Sequence, residues 1–233
     1  MSTDELCPYD ISMLQLSDSF FPTGMYAMSS GLEAIYYAKK VKGRDQLRNL
    51  LEVYLTRQMG PADSVALSNA YEYANSDFAR LLEVDQILFS MKLVEEMRSA
   101  STRSGIQLLR CLSSFIKGNQ LLEKYLQSIE LGQASGVYPV AFAVACNILR
   151  IPKEKSCTMM LYSFSVSIIG AALRLGLIDH FDGQRLLHEL NPVILQTVKL
   201  NLQKPLSSIW QFAPQLDLFQ IRHERMNSKM FIS

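Results

Sequence analysis

Apolar residues recur along this chain at the three- and four-residue spacing of helices, in segments parted by short polar punctuation, and the period-two alternation of strands is hard to find. Leu47, Leu50, Leu51, Tyr54, Leu55 and Met59 fall on one stripe. That spacing predicts an amphipathic helix from Arg44 to Met59, which Gly60 and Pro61 are expected to break. Another helix is expected from Ala62 to Ala74, and Ser76 with Asp77 offers an N-cap to the next, in which Phe78, Leu81, Leu82 and Leu88 recur. Val94 to Lys117 reads as a longer helix. Leu108, Leu109, Leu112 and Phe115 give its second half an apolar face, while Glu95, Glu96, Arg98 and Arg103 are expected on solvated surface. Asn119 caps a helix to Ile129, and Gly132, Ser135 and Gly136 open a loop. Pro139 stands near the start of the following helix, whose Ala141, Ala143 and Ala145 suit close approach by neighbours. A strongly apolar helix follows from Pro152 to Leu175. An aspartate N-cap in the run Asp182, Gly183, Gln184, Arg185 is expected to start a further helix through Leu200, kinked at Pro192. The fold class is therefore all-α, a single-domain helical bundle of about ten helices.

Two stretches break this pattern. Between Leu14 and Glu33 the chain reads LQLSDSFFPTGMYAMSSGLE. Ser17, Asp18 and Ser19 leave helices, Pro22 has no amide hydrogen and Gly24 can take a positive φ, so a short helix should stop here and another begin near Ala27 to Ser30. The turn nevertheless carries Phe20, Phe21, Met25, Tyr26 and Met28, side chains normally placed for burial. Either it packs into its own domain or it offers an apolar face to a partner. The second stretch is the C-terminus, HERMNSKMFIS, where Met226, Met230, Phe231 and Ile232 make a tail too apolar to be a disordered one. It is expected to dock on a partner, the alternative being that it folds back on its own bundle. The expected division is a flexible N-terminus over residues 1–10, an all-helical domain over 11–222 and a docking tail over 223–233.

Composition narrows the function classes. Of 233 residues, 48% are hydrophobic and only 19% charged, below the roughly 25% of an average soluble domain, so some apolar surface is expected to meet a partner. A net charge of +1 with scattered Lys and Arg gives no nucleic-acid footprint. Cys7, Cys111, Cys146 and Cys157 are far apart and form no C-x-x-C, as expected of thiols in a reducing cytoplasm. The start MSTDELCPYD has no secretory pattern. Cys157 to Ile178 has the length of a membrane span, but Arg174 and three serines inside it favour a buried helix at the centre of a soluble bundle. No phosphate-binding or dinucleotide glycine loop occurs, and His180, His188 and His223 have no ligand spacing. The residues thus point to no catalytic site, no cofactor and no metal site.

Five blocks, in order, resemble the UreF family of urease accessory proteins. In the opening stretch, Leu14, Gln15, Leu16, Asp18, Ser19, Phe21, Pro22, Gly24, Ser29, Gly31, Leu32 and Glu33 fall on the family signature. Glu96, Arg98, Ala100, Ser101, Gly105, Leu108 and Leu109 resemble a second block, and Gly136, Tyr138, Pro139, Val140 and Phe142 a third. The segments LYSFSVSIIGAALRLG and Asp182 to Arg185 resemble a fourth, and His223, Glu224, Ser228, Phe231 and Ser233 the terminal one. Departures are Met28 at a position of a family histidine or tyrosine, Val137 for histidine, Asn227 for tyrosine and Lys229 for arginine. The resemblance implies a non-enzymatic, dimerising scaffold in the maturation of urease by nickel insertion. It would bridge a UreD/UreH-like accessory protein and a UreG-like GTPase on the urease apoprotein and gate the GTPase. Partner contacts are expected at Asp18, Phe21, Pro22, Gly24 and Glu33, at Arg174, and at Met226, Ser228, Lys229 and Phe231. A homodimer interface is expected on the helix around Val140 to Ala145 or on the helix from Pro152. The competing classes are a helical adaptor unrelated to nickel and a small α-helical hydrolase.

Overall fold

The computed structural model describes residues 7–18, 20–24 and 28–232. Residues 1–6, Ser19, Met25, Tyr26 and Ala27 of the opening stretch, and Ser233 lie outside the described residues. Among the described residues there is no strand, and the helices form one domain. They are α1 (Pro8–Ser17), α2 (Leu32–Tyr37), α3 (Arg44–Tyr54), a π-helical stretch (Leu55–Ser64), α4 (Val65–Tyr73), α5 (Phe78–Met91), α6 (Glu95–Phe115), α7 (Gln120–Glu130), α8 (Tyr138–Ile148), α9 (Lys153–Arg174), α10 (His180–Asn201) and α11 (Pro214–Glu224).

Helix α8 is the centre, with every residue from Tyr138 to Cys146 buried, and α4, α5, α6, α7 and α9 pack around it. Its small residues let α6 come close. A Cβ placed on Gly105 would collide with the carbonyl oxygen of Gly136 and lie 3.1 Å from the Cβ of Ala141. The loop that delivers the chain into α8 is held by Asp85 of α5, whose buried carboxylate accepts from the amides of Ser135 (2.5 Å), Gly136 (3.2 Å) and Val137 (2.9 Å) and from the hydroxyl of Tyr125 (2.9 Å). Burial pushes this carboxyl above its usual range, and the donated hydrogen bonds oppose that shift. Val140 to Ala145 are enclosed within this chain, so these residues offer no face for the expected dimer interface. Helix α9 is long and apolar enough to cross a membrane, but most of its apolar stretch is buried inside the bundle, on α8 and α10.

Several boundaries differ from expectation. Gly60 and Pro61 do not break the helix after Met59, because the backbone widens into the π-helical stretch and runs on into α4. A proline in an α-helix obstructs the carbonyl four residues back. Here that carbonyl, Arg57 O, turns out to the amide of Phe212 at 3.0 Å, and Pro61 O takes the amide of Trp210 at 3.2 Å. Gly60 is needed for a separate reason: a Cβ there would meet the Thr197 side chain of α10 and lie 2.7 Å from Leu55 O. The cap of α10 is Asp179 rather than Asp182, its Oδ1 accepting from the Asp182 amide at 2.8 Å. Pro192 lies inside that continuous helix. At the other end, α1 already takes in residues 8–10, expected to be flexible, since the Cys7 amide bonds to Asp10 Oδ2 at 3.0 Å and starts the first turn.

Two outcomes are expected from this packing. Replacing Gly105 by Ala should cost about 1–3 kcal/mol, because the obstacle is backbone and cannot rotate away, and a shifted urea midpoint would report it. Burial pushes the thiols of Cys146 and Cys157 up to about 12, so in the folded protein at neutral pH neither should be alkylated by iodoacetamide. Mass spectrometry should find both labelled only after denaturation.

Candidate functional site

The approach to α2 is a tight, buried turn. Ser30 (φ 51°) and Gly31 (φ 89°) are both left-handed, and the Ser30 carbonyl accepts from Tyr54 Oη at 2.5 Å and from Gln220 Nε2 at 3.3 Å. Gly31 permits this, because a Cβ would come within 3.0 Å of Gln220 Cγ. Glu33 therefore enters the protein on the first turn of α2 with its side chain 1% exposed. Such a carboxylate requires donors.

They come from the far end of the chain. Glu33 Oε1 accepts from the amide of Met230 at 2.8 Å, and Oε2 accepts from the amide of Phe231 at 3.2 Å and faces His223 Nε2 at 2.9 Å. His223, on the last turn of α11 and fully buried, turns Nδ1 to Glu96 Oε2 of α6 at 2.7 Å. The other oxygen of Glu96 pairs with Lys229 Nζ at 2.9 Å, and Lys229 also donates to the Glu224 carbonyl at 3.1 Å. The His223 ring thus lies between the carboxylates of Glu33 and Glu96 and ties α2 to α6 through α11. Beside this cluster the Phe231 ring is buried under Arg174, whose guanidinium carbon lies 4.4 Å from the ring centroid and whose Nε donates to Gly170 O at 3.1 Å. A guanidinium over an aromatic face is itself attractive.

The structure thus brings together four of the expected contact residues, Glu33, Arg174, Lys229 and Phe231. Glu33 and Phe231 are corrected in one respect. Expected on a contact surface, they are enclosed within this chain, the carboxylate by the amides of Met230 and Phe231 and by His223, and the ring under Arg174. Of the rest of the tail, Met226 is half-buried, Ser228 is exposed, and Met230 and Ile232 point outward. Asp18, Phe21, Pro22 and Gly24 stand apart from the cluster. They line an apolar cavity of about 270 Å³ between α1, the turn and α9, walled by Tyr138, Tyr162 and Val166. Asp18 is exposed and holds the turn by accepting from the Phe20 amide at 2.8 Å. Within this turn Phe21 packs inward while Phe20 is 93% exposed. Pro22 and Gly24 also border an open groove along α6 that Ile232 reaches, so the turn and the tail adjoin.

Glu96 and His223 were not expected in the cluster. Glu96 had the look of one charge among several on a wet helix start, and His223 that of an isolated histidine. The signal that would have found them is that each lies in a block of the family pattern, one in the second and one in the last. Arg98, on the same helix start, is half-buried and donates to the carbonyls of Lys92 (2.7 Å) and Leu93 (2.9 Å).

The protein is an all-helical domain with its C-terminal tail clasped to a buried carboxylate near its N-terminus. The profile of the UreF family matches residues 41–191 of this chain. A urease accessory protein UreF of Bacillus sp. (strain TB-90) is 30% identical over 96% of this chain and 98% of its own length. Those of Trichodesmium erythraeum (strain IMS101) and Paenarthrobacter aurescens (strain TC1) are each 28% identical, covering 95% and 97% of this chain and 95% and 98% of their own lengths. The chain belongs to the UreF family of urease accessory proteins.

Replacing Glu33 by Ala should leave His223 Nε2 and the amides of Met230 and Phe231 without their partner, a loss of about 3–5 kcal/mol. Thermal unfolding should then fall by roughly 6–20 °C for a domain of this size. Hydrogen exchange at the amides of Met230 and Phe231 should accelerate in the same variant. Unchanged exchange there would show that the carboxylate does not hold the tail.

Proposed function

We propose that this chain is a non-catalytic scaffold in urease maturation, acting in the cytoplasm on the urease apoprotein with a UreD/UreH-like accessory protein and a UreG-like GTPase whose activity it gates, so that nickel is committed to the enzyme. Family membership supports the setting. The observation that carries the scaffold reading is the clasp. Blocks far apart in sequence, at Glu33, Glu96, Arg174 and His223 to Phe231, converge on one polar cluster whose groups bond to one another, and its outer edge carries Met230, Ile232 and part of Lys229. A fixed tail with apolar side chains turned outward suits docking of a protein partner.

The GTPase should land beside the positive charge of Lys229, which is one-quarter exposed. Replacing Lys229 by Ala should weaken capture of the nucleotide-bound GTPase by the binary complex with the UreD/UreH-like protein, several-fold for a charge at a rim. That binary complex should survive. Deleting residues 225–233 should abolish the binary complex while far-UV circular dichroism stays helical. A binary complex that forms normally without the tail would refute tail docking.

The chain is further proposed to act as a homodimer. With α8 enclosed, the face left for it is the outer side of α9 and α1, where Tyr162, Val166, Ile11 and Leu14 are exposed apolar residues. A charge placed there, Leu14→Glu together with Tyr162→Glu, should reduce the light-scattering mass at micromolar concentration from that of a dimer to that of a monomer. A monomeric parent protein in the presence of its partners would count against the dimer.

A further inference from the structure

The apolar cavity of about 270 Å³ between α1, the turn and α9 is bordered by Tyr162 and Val166, both exposed. Among the described residues that line it, Asp18 is the one that carries a charge. Phe20 stands at its rim. It lies between Asp18 and Phe21, which both line the cavity, yet it is 93% exposed. The turn holds it in that position. The Phe20 amide donates to Asp18 Oδ1 at 2.8 Å, the Phe21 amide to the Asp18 carbonyl at 3.0 Å and the Thr23 amide to the Phe21 carbonyl at 2.8 Å, and the inward place is taken by Phe21. One patch of surface therefore carries an apolar projection and an apolar hollow side by side.

We infer that the cavity is a socket for the Phe20 ring of a second copy of this chain, which receives the first copy's ring in return. This rests on the homodimer proposed above and names the contact that holds it together. A two-fold interface uses the same patch on both copies, so a projection on one must meet a hollow in that same patch on the other. Phe20 and the cavity satisfy that condition. Size agrees as well, since an apolar cavity of roughly 150 Å³ already takes up benzene and this one is larger. The near absence of charge also favours a second copy, because a charged group close to a two-fold axis faces its own like. At their exposures Ile11, Leu14, Phe20, Tyr162 and Val166 present on the order of 600 Å², most of the roughly 800 Å² that each partner buries in a stable interface. Aromatic anchors seated in dry pockets carry much of the binding energy of such interfaces.

The test compares the full chain with two variants by light scattering across micromolar concentrations. Phe20→Ser removes the projection at an exposed position. Gly170→Leu fills the hollow from α9, where an added Cβ meets nothing within 4 Å and leucine is the better helix former. Each should keep the parent's far-UV circular dichroism and raise the dissociation constant of the dimer by about tenfold or more, because the contact is made twice. With p-benzoylphenylalanine in place of Phe20, irradiating a mixture of unlabelled and isotope-labelled copies should join residue 20 of one copy to the 162–170 stretch of the other. A dimer that either variant leaves unchanged would overturn the inference and leave the homodimer standing. A crosslink confined to one copy would overturn it too, by showing that Phe20 folds into its own cavity. A parent chain that stays monomeric, alone and with its partners, would remove the homodimer and the inference together.

Discussion

A carboxylate placed almost out of reach of water must find donors or stay unfolded, and Glu33 is that carboxylate. None of its donors is local. Two are backbone amides about two hundred residues away in sequence, at Met230 and Phe231, and the third facing group is His223. The free energy at stake in such a site lies in its failure: removing one member of a buried, hydrogen-bonded charge pair costs about 3–5 kcal/mol, whereas an exposed pair is worth at most about 1 kcal/mol. The Arg44 and Arg48 contacts to Glu189, both half-exposed, belong to the second kind. By this comparison the clasp governs how the tail, α11, α2 and the start of α6 sit together, and the surface ion pairs govern little.

The same demand that buried polar groups be met explains the other irregular parts of the bundle. Asp85 stands where the loop before α8 would otherwise bury three amides without acceptors. The π-helical stretch frees the Arg57 and Pro61 carbonyls, and the segment before α11 supplies the amides that take them. That segment leads directly into the helix bearing His223. The widened turn and the clasp are thus two ends of one device, in which the path of residues 209–224 is fixed first by backbone hydrogen bonds and then by the imidazole.

Helix type and order were legible from apolar spacing because packing and periodicity agree through most of the chain. The caps at Asp77 and Asn119 were legible for a local reason: each side chain accepts from an amide three residues on, Arg80 at 3.1 Å and Leu122 at 3.0 Å. Where the deciding partner is distant, local chemistry misleads. Gly60 and Pro61 look like a helix end because nothing nearby reveals the amides of Trp210 and Phe212. Glu96 looks solvated because its partners, His223 and Lys229, lie some 130 positions away. Asp182 had the composition of a cap, but Asp179 occupies that place and Asp182 supplies the amide it receives. The resemblance to the family includes Glu96, Asp182, His223 and the tail in its blocks, but it could not say that they face one another.

The clasp also constrains how a partner can use the tail. Successive residues divide between inside and outside: Phe231 is buried under Arg174, while Met230 and Ile232 on either side of it are more than half exposed. A partner that drew Phe231 out would strip Glu33 of two amides and uncover the imidazole, and its own contacts would have to exceed that loss before any net binding remained. A partner that took only Met230 and Ile232 would meet a segment already ordered, with its backbone entropy lost at folding rather than at association. For such a partner the outward residues would be the better anchors, with Phe231 holding them in place.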